Sequence, residues 1–153
     1  MRVRELHRRR PHRHLDPDAQ VLGESFAATV APDGAFDAAI GNVPFGDYWL
    51  YDPRYNPSQE SIPNHFISKS LDMTKPGGIL AVITSRWTMD SEDPTVRQKL
   101  AAKADLVGAI RLPRNAHAAA AGTRVVTDVL FLRRREADRE PAPMEWDAVM
   151  EIE

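Results

Sequence analysis

The sequence predicts an α/β domain with a mostly parallel sheet and an antiparallel last strand. Three observations carry this. Apolar strand-like runs alternate with helical patterns through the middle of the chain. Ile79–Thr84 is continuously apolar, the pattern of a central parallel strand buried on both faces. The last two strand-like runs, Leu106–Leu112 and Arg124–Leu132, are joined by only about a dozen residues, short for a helical crossover and suited to antiparallel pairing. With 153 residues, 42% hydrophobic and 27% charged, the chain is long enough for one domain with a real core.

Residues 1–18 are basic and proline-punctuated, with Arg2, Arg4, Arg8, Arg9, Arg10 and Arg13 beside three histidines, and read as a mobile arm. Such an arm is either a solvated tail or a contact for phosphates. Residues 19–135 form the folded domain, and 136–153 an acidic tail with a short helix near Trp146. Ala19–Leu22 suits a short strand. Pro32-Asp33-Gly34 signals a turn, and Phe36–Ile40 a buried strand. Residues 46–60 are a loop of high aromatic density, with Tyr48, Trp49, Tyr51 and Tyr55. These rings either stack on unpaired bases or pack on one another. Ile62–Met73 has helical periodicity, with Phe66, Ile67, Ser70 and Leu71 on one face, and Lys75-Pro76-Gly77-Gly78 stops it. Pro94–Ala104 reads as a helix with Pro94 near its first turn, and Asn115–Gly122 as an alanine-rich loop. Arg133–Arg135 reads as a solvated strand terminus.

The net charge of −2 gives no overall signal for a nucleic-acid partner. Cysteine is absent, which excludes disulfides and thiolate metal sites, and no His, Asp or Glu spacing suggests a metal. No apolar run approaches the roughly 20 residues of a membrane span, and a cytoplasmic location is the default.

The chemistry concentrates where the Phe36–Ile40 strand ends in Gly41-Asn42-Val43-Pro44-Phe45-Gly46. Asn42 offers an amide oxygen as an acceptor. With the Val43 carbonyl it is placed to hold both hydrogens of an aromatic amine, favouring a pyramidal, more nucleophilic nitrogen. Pro44 fixes its own φ and keeps Val43 extended, so the acceptors are pre-aimed. Phe45 is placed to stack on a ring, and Gly46 permits close approach. The plain alternative is a strand-end turn in which Asn42 bonds its own backbone. Asp47 and Tyr48 flank the run as substrate contacts or loop caps. Arg86 follows the Ile79–Thr84 strand at its carboxyl end, where a phosphate can be met, and His117 lies in a loop able to face DNA. His65 reads as a structural histidine. Ser85 has no paired base, which speaks against a hydrolase.

Asn42-Val43-Pro44-Phe45 resembles the Asn-Pro-Pro-Tyr/Phe motif of S-adenosylmethionine-dependent amino-methyltransferases. The resemblance runs from about Ala19 to Arg135 and includes Phe36-Asp37-Ala38-Ala39-Ile40-Gly41 and Lys75-Pro76-Gly77-Gly78-Ile79-Leu80-Ala81-Val82-Ile83-Thr84-Ser85. Gly108-Ala109-Ile110-Arg111-Leu112-Pro113 and the late Gly122-Thr123-Arg124-Val125-Val126-Thr127-Asp128-Val129-Leu130-Phe131-Leu132 complete the set. The set is similar to the adenine-specific DNA methylases (N-6 DNA methylases) of phages, plasmids and mobile elements, often fused to a helicase. The resemblance implies a partial Rossmann-like methyltransferase sheet, S-adenosylmethionine as cofactor, DNA as partner and a role in restriction-modification. It implies that Asn42 and the Val43 carbonyl bind the target amine, and that Phe45 stacks on a flipped adenine. Glu24 and Phe26 correspond to contacts with the cofactor's adenine. Val43 replaces one proline of the usual pair but keeps the backbone carbonyl. The family's Gly-rich cofactor loop has no counterpart in residues 1–22, which hold no glycine. The expectation is therefore a C-terminal part of a catalytic domain, working with an N-terminal segment or a helicase module. Methylation of an RNA base or a protein glutamine is the alternative chemistry, and a non-catalytic nucleic-acid-binding fragment the alternative class.

Overall fold

The computed structural model describes residues 23–117, 125–142 and 146. Its elements run β1 (Phe36–Asn42), α1 (Ile62–Met73), β2 (Thr74–Ser85), α2 (Trp87–Asp90), α3 (Thr95–Ala101), β3 (Ala104–Leu112) and β4 (Thr127–Arg134). The sheet order is β1-β2-β4-β3. β1 pairs parallel with β2, while β4 lies antiparallel between β2 and β3. The mostly parallel sheet with an antiparallel last strand is thus present. The short β3–β4 connection forces the reversal, since a parallel return needs a longer crossover.

The α1 helix has the bounds that its periodicity predicts. Pro63 sits in its first turn, where a missing N–H costs nothing. Ile67 and Leu71 of α1 and Leu100 of α3 meet Leu80 and Val82 of β2 and Leu130 and Leu132 of β4 in one core. Strand alternation turns Ile79, Ala81, Ile83, Val129 and Phe131 to the other face, where they stay only half-buried. The core lies between one sheet face and the two helices. The expectation that β2 is buried on both faces is corrected accordingly.

Four further expectations change. β1 is not buried: it is an edge strand with Ile40 84% exposed, because the described residues pair it only with β2. Lys75–Gly78 do not merely stop α1 but form an irregularity at the start of β2, with Phe36 opposite Thr74 and Ala38 opposite Ile79. Arg134 and Arg135 are not a solvated terminus. Arg134 Nη1 donates to the carbonyls of Asp72 and Thr74, and Arg135 pairs with Asp105 at 2.7 Å and donates to the carbonyls that end α3. Trp146, expected in a tail, is 8% exposed and belongs to the core. The expected Ala19–Leu22 strand, most of the 136–153 tail with its short helix near Trp146, and the greater part of Asn115–Gly122 lie outside the described residues.

Candidate active site

β1 delivers its last residues to the carboxyl end of the sheet. Asn42 stands opposite Ile83, and the Val43 N–H donates to the Ile83 carbonyl at 3.0 Å, extending the ladder one residue beyond the strand. Val43 is 5% exposed and packs into the core. The alternation that buries Val43 turns Asn42 to the opposite face. Asn42 is exposed, and among the described residues its side chain makes no hydrogen bond, so the self-bonded turn is not formed. The Val43 carbonyl likewise accepts none among them. Both acceptors are therefore without a hydrogen-bond partner among the described residues.

Beyond Pro44 the chain turns into a cavity of about 590 Å³. Its walls include Phe45, Gly46 and Asp47 from the strand end, Ser61 and Asn64 at the start of α1, and Trp87 from α2. That volume lies in the usual range for a small-molecule or cofactor site. The structure thus brings Phe45, Gly46 and Asp47 together. Asn42, Pro44 and Tyr48 stand outside the lining, Pro44 directly before Phe45 and Asn42 three residues before it in the chain. The close approach that Gly46 permits is that of Tyr48: a Cβ on Gly46 would fall 2.5 Å from the Tyr48 ring.

Arg86 lies directly after β2, its guanidinium 4.3 Å from the centre of the Trp87 ring. His117 is turned back to the sheet, where Nε2 meets Thr127 Oγ1 at 2.8 Å. Phe26 packs on Phe66 with ring centres 4.3 Å apart and receives the Lys69 ammonium at 5.1 Å, while Glu24 is exposed. Of the aromatic loop, Tyr55 is buried and donates to Asp33 Oδ1 at 2.7 Å, which with Arg54 holds the Asp33 carboxyl below its usual range. Tyr51 is 78% exposed. The loop is therefore part self-packed and part open.

Under it lies a buried cluster. Asp52 Oδ2 accepts from His65 Nε2 at 3.0 Å and from Lys69 Nζ at 2.9 Å, and Lys69 also donates to the carbonyls of Phe26 and Ala27. Burial raises the Asp52 carboxyl, and the Lys69, Tyr55 and His65 hydrogen bonds outweigh it, so its pKa lies below the usual value. His65 is buried and held through Nε2 by Asp52, a partner that spacing did not reveal, while its Nδ1 has no hydrogen-bond partner among the described residues.

Sequence reasoning missed α2 and Trp87. The short helix is tied down on both sides. Thr84 and Thr88 share a buried hydroxyl contact at 3.0 Å, and Arg111 Nη2 reaches Asp90 at 2.6 Å while its Nε holds Asp128 at 2.9 Å. The hydrogen bonds that Arg111 donates to Asp128 and then Asp90 push its pKa further up. The available signal was an aromatic two residues past a strand's carboxyl end.

No family model matches the chain. It is 30% identical over 142 residues to the "Defense against restriction protein B" of Escherichia phage P1, a match that takes in 90% of this chain and 6% of that protein. The chain thus spans a small part of the length of the curated relative it matches. Among solved structures it resembles a candidate class I S-adenosylmethionine-dependent methyltransferase from Listeria monocytogenes, with a TM-score of 0.60, 20% identity, and 77% of this chain and 37% of that chain covered. It also resembles the modification subunit of a candidate type I restriction enzyme from Vibrio vulnificus YJ016, with a TM-score of 0.57, 20% identity, and 68% and 24% covered. The M protein of the type I restriction enzyme EcoKI gives a TM-score of 0.56 at 21% identity, with 70% and 22% covered. The fold is that of the S-adenosylmethionine-dependent methyltransferases.

Proposed function

We propose that this chain carries the acceptor side of an S-adenosylmethionine-dependent methyltransferase that modifies the exocyclic amine of adenine in DNA. The observation that carries the reading is the free Asn42 amide and Val43 carbonyl at the carboxyl end of a parallel strand, one turn from the Phe45 cavity. Ligands of open α/β sheets bind at such strand ends. The likeness to modification subunits and to a phage anti-restriction protein supports DNA as the substrate.

In this reading Asn42 Oδ1 and the Val43 carbonyl each accept one hydrogen of the amine. The nitrogen lone pair is then drawn out of conjugation and aimed at the methyl group. The ladder bond to Ile83 and the burial of Val43 hold the backbone that carries both acceptors, so the chain contributes positioning rather than a covalent intermediate. Phe45, 41% exposed, offers its ring to the base. The donor supplies an electrophilic methyl on a sulfonium. Of the two residues expected at its adenine, Glu24 is exposed and open to a ligand. Phe26 does not fit, its ring being engaged by Phe66 and Lys69. A segment from outside these residues, or a helicase module, would complete the donor side.

The test is transfer of labelled methyl from S-adenosylmethionine to adenine-containing DNA, with N6-methyladenine read by mass spectrometry. RNA and a glutamine peptide serve as parallel substrates. Asn42→Ala should lower transfer about 100-fold or more, the cost of one positioned hydrogen-bonding group at a reacting centre. Its melting temperature should stay unchanged, since the side chain is exposed and unbonded. Normal transfer by the variant, or transfer confined to RNA or peptide, overturns the reading.

A further inference from the structure

We propose that Trp87 is the shared wall of a two-chambered groove that takes one nucleotide of DNA, the base against Phe45 and Trp87 and the phosphodiester between Arg86 and Arg114. This rests on the DNA reading above and deepens it by assigning a phosphate subsite and a second stacking surface.

Two cavities meet at Ser85 and Trp87. The first, of about 590 Å³, carries the Phe45 ring and the polar groups of Ser61 and Asn64. The second, of about 350 Å³, is lined by Ser85, Arg86, Trp87, Arg114, Val125 and Val126. Their chemistries are complementary halves of a nucleotide. One chamber carries the Phe45 and Trp87 rings, the Asn64 amide and the carboxylates of Asp47 and Asp93, groups that can stack on a base and accept from its amine, and the other is lined by two arginines and no carboxylate.

The arginines are available. Among the described residues neither Arg86 nor Arg114 forms an ion pair, whereas Arg54, Arg111 and Arg135 are matched by Asp33, by Asp90 with Asp128, and by Asp105. Two arginines without an ion pair that line one cavity suit an anion with several oxygens, which phosphate satisfies. Trp87 is correspondingly placed for stacking. It is 60% exposed, a large apolar area to leave in water, and Arg86 covers one side of the ring at 4.3 Å. The ring is nonetheless carried on a tethered backbone: the Trp87 main-chain N–H donates to Ser85 Oγ, Thr84 holds Thr88, and Arg111 holds Asp90. A fixed, exposed indole between a base-sized chamber and an arginine chamber loses little freedom when a base lies on it.

The test is binding of a fluorescein-labelled 12-nucleotide single-stranded DNA to the full chain by anisotropy over a range of salt concentrations. Trp87→Ala should weaken binding about tenfold or more, and Trp87→Phe should restore it to within about threefold. Arg114→Gln should weaken binding and reduce the slope of log affinity against log salt by about 0.7, the share of one phosphate contact on a single strand. Circular dichroism confirms that these surface variants fold. Unchanged affinity in Trp87→Ala, an unchanged salt slope in Arg114→Gln, or no binding by the wild type at millimolar DNA overturns the groove. Methyl transfer is scored separately. Losses of binding with no transfer by the wild type in a complete domain that supplies the donor side leave the groove standing and remove the methylation reading, and transfer with wild-type binding in both variants does the reverse.

Discussion

Lys69 shows how much one buried side chain organises here. Its ammonium is 1% exposed, pairs with Asp52, and gathers the carbonyls of Phe26 and Ala27 onto α1. Replacing it by methionine keeps the volume but leaves the Asp52 carboxylate buried with His65 and the Tyr55 N–H alone. Breaking a buried pair in this way costs about 3–5 kcal/mol, measurable as a shift in urea midpoint. The pH dependence has a definite sign. The folded Asp52 pKa lies below its ordinary 3.8, so its contribution to stability is complete above that value and is lost as pH falls through the folded pKa. Lys69→Met should therefore flatten the acid limb of a stability profile below about pH 4 relative to the wild type. The sequence exposed Asn42 at this scale because a strand followed by Asn-Val-Pro-Phe is a local pattern. It hid the Asp52 cluster, whose members come together only when the 46–60 loop folds over α1.

Among the elements, the seam between β1 and β2 carries the sharpest constraint. A Cβ on Gly78 would stand 2.5 Å from the Asp37 carbonyl and 2.9 Å from that of Lys75, both backbone atoms that cannot swing aside. Gly41 lies across the seam in the edge strand β1, with nothing within 4 Å of its Cβ position. Gly78→Ala should accordingly destabilise the chain by about 1–3 kcal/mol, as overpacking does, with Gly41→Ala as the control that stays within about 0.5 kcal/mol. Hydrogen exchange at the β1 amides reports the same difference residue by residue. If the seam places Asn42, Gly78→Ala will also lower methyl transfer, although it lies far from the strand end in the chain. The Pro-Gly-Gly run was legible as a helix stop. That it also admits a neighbouring strand's carbonyl was not, because a pairing partner about forty residues away leaves no mark on the local pattern.

The whole molecule is a two-layer arrangement, one sheet face packed on α1 and α3 and the other half-open among the described residues. Trp146 closes the packed side. Its ring joins Leu100, Leu130 and Leu132 although acidic and proline-rich residues surround it in the chain. Trp146→Ala should cost about 3–5 kcal/mol and lower the melting temperature by several degrees, as loss of a buried tryptophan does. A variant that melts like the wild type would show that the terminal segment does not pack there in solution.

By itself the sequence determined the α/β class, the bounds of α1, the antiparallel last strand and the Asn42-Val43-Pro44-Phe45 strand end. Each rests on periodicity, a short connection or a fixed φ within a few residues. Only the tertiary structure decided that β1 is an exposed edge, that Phe26 and His117 are occupied elsewhere, and that Arg134 and Arg135 tie carbonyls rather than meet solvent. It alone set Trp87 between the two cavities. These outcomes depend on which distant groups reach a side chain first. Burial and hydrogen bonding are settled by contacts across the sheet, and no local spacing encodes them.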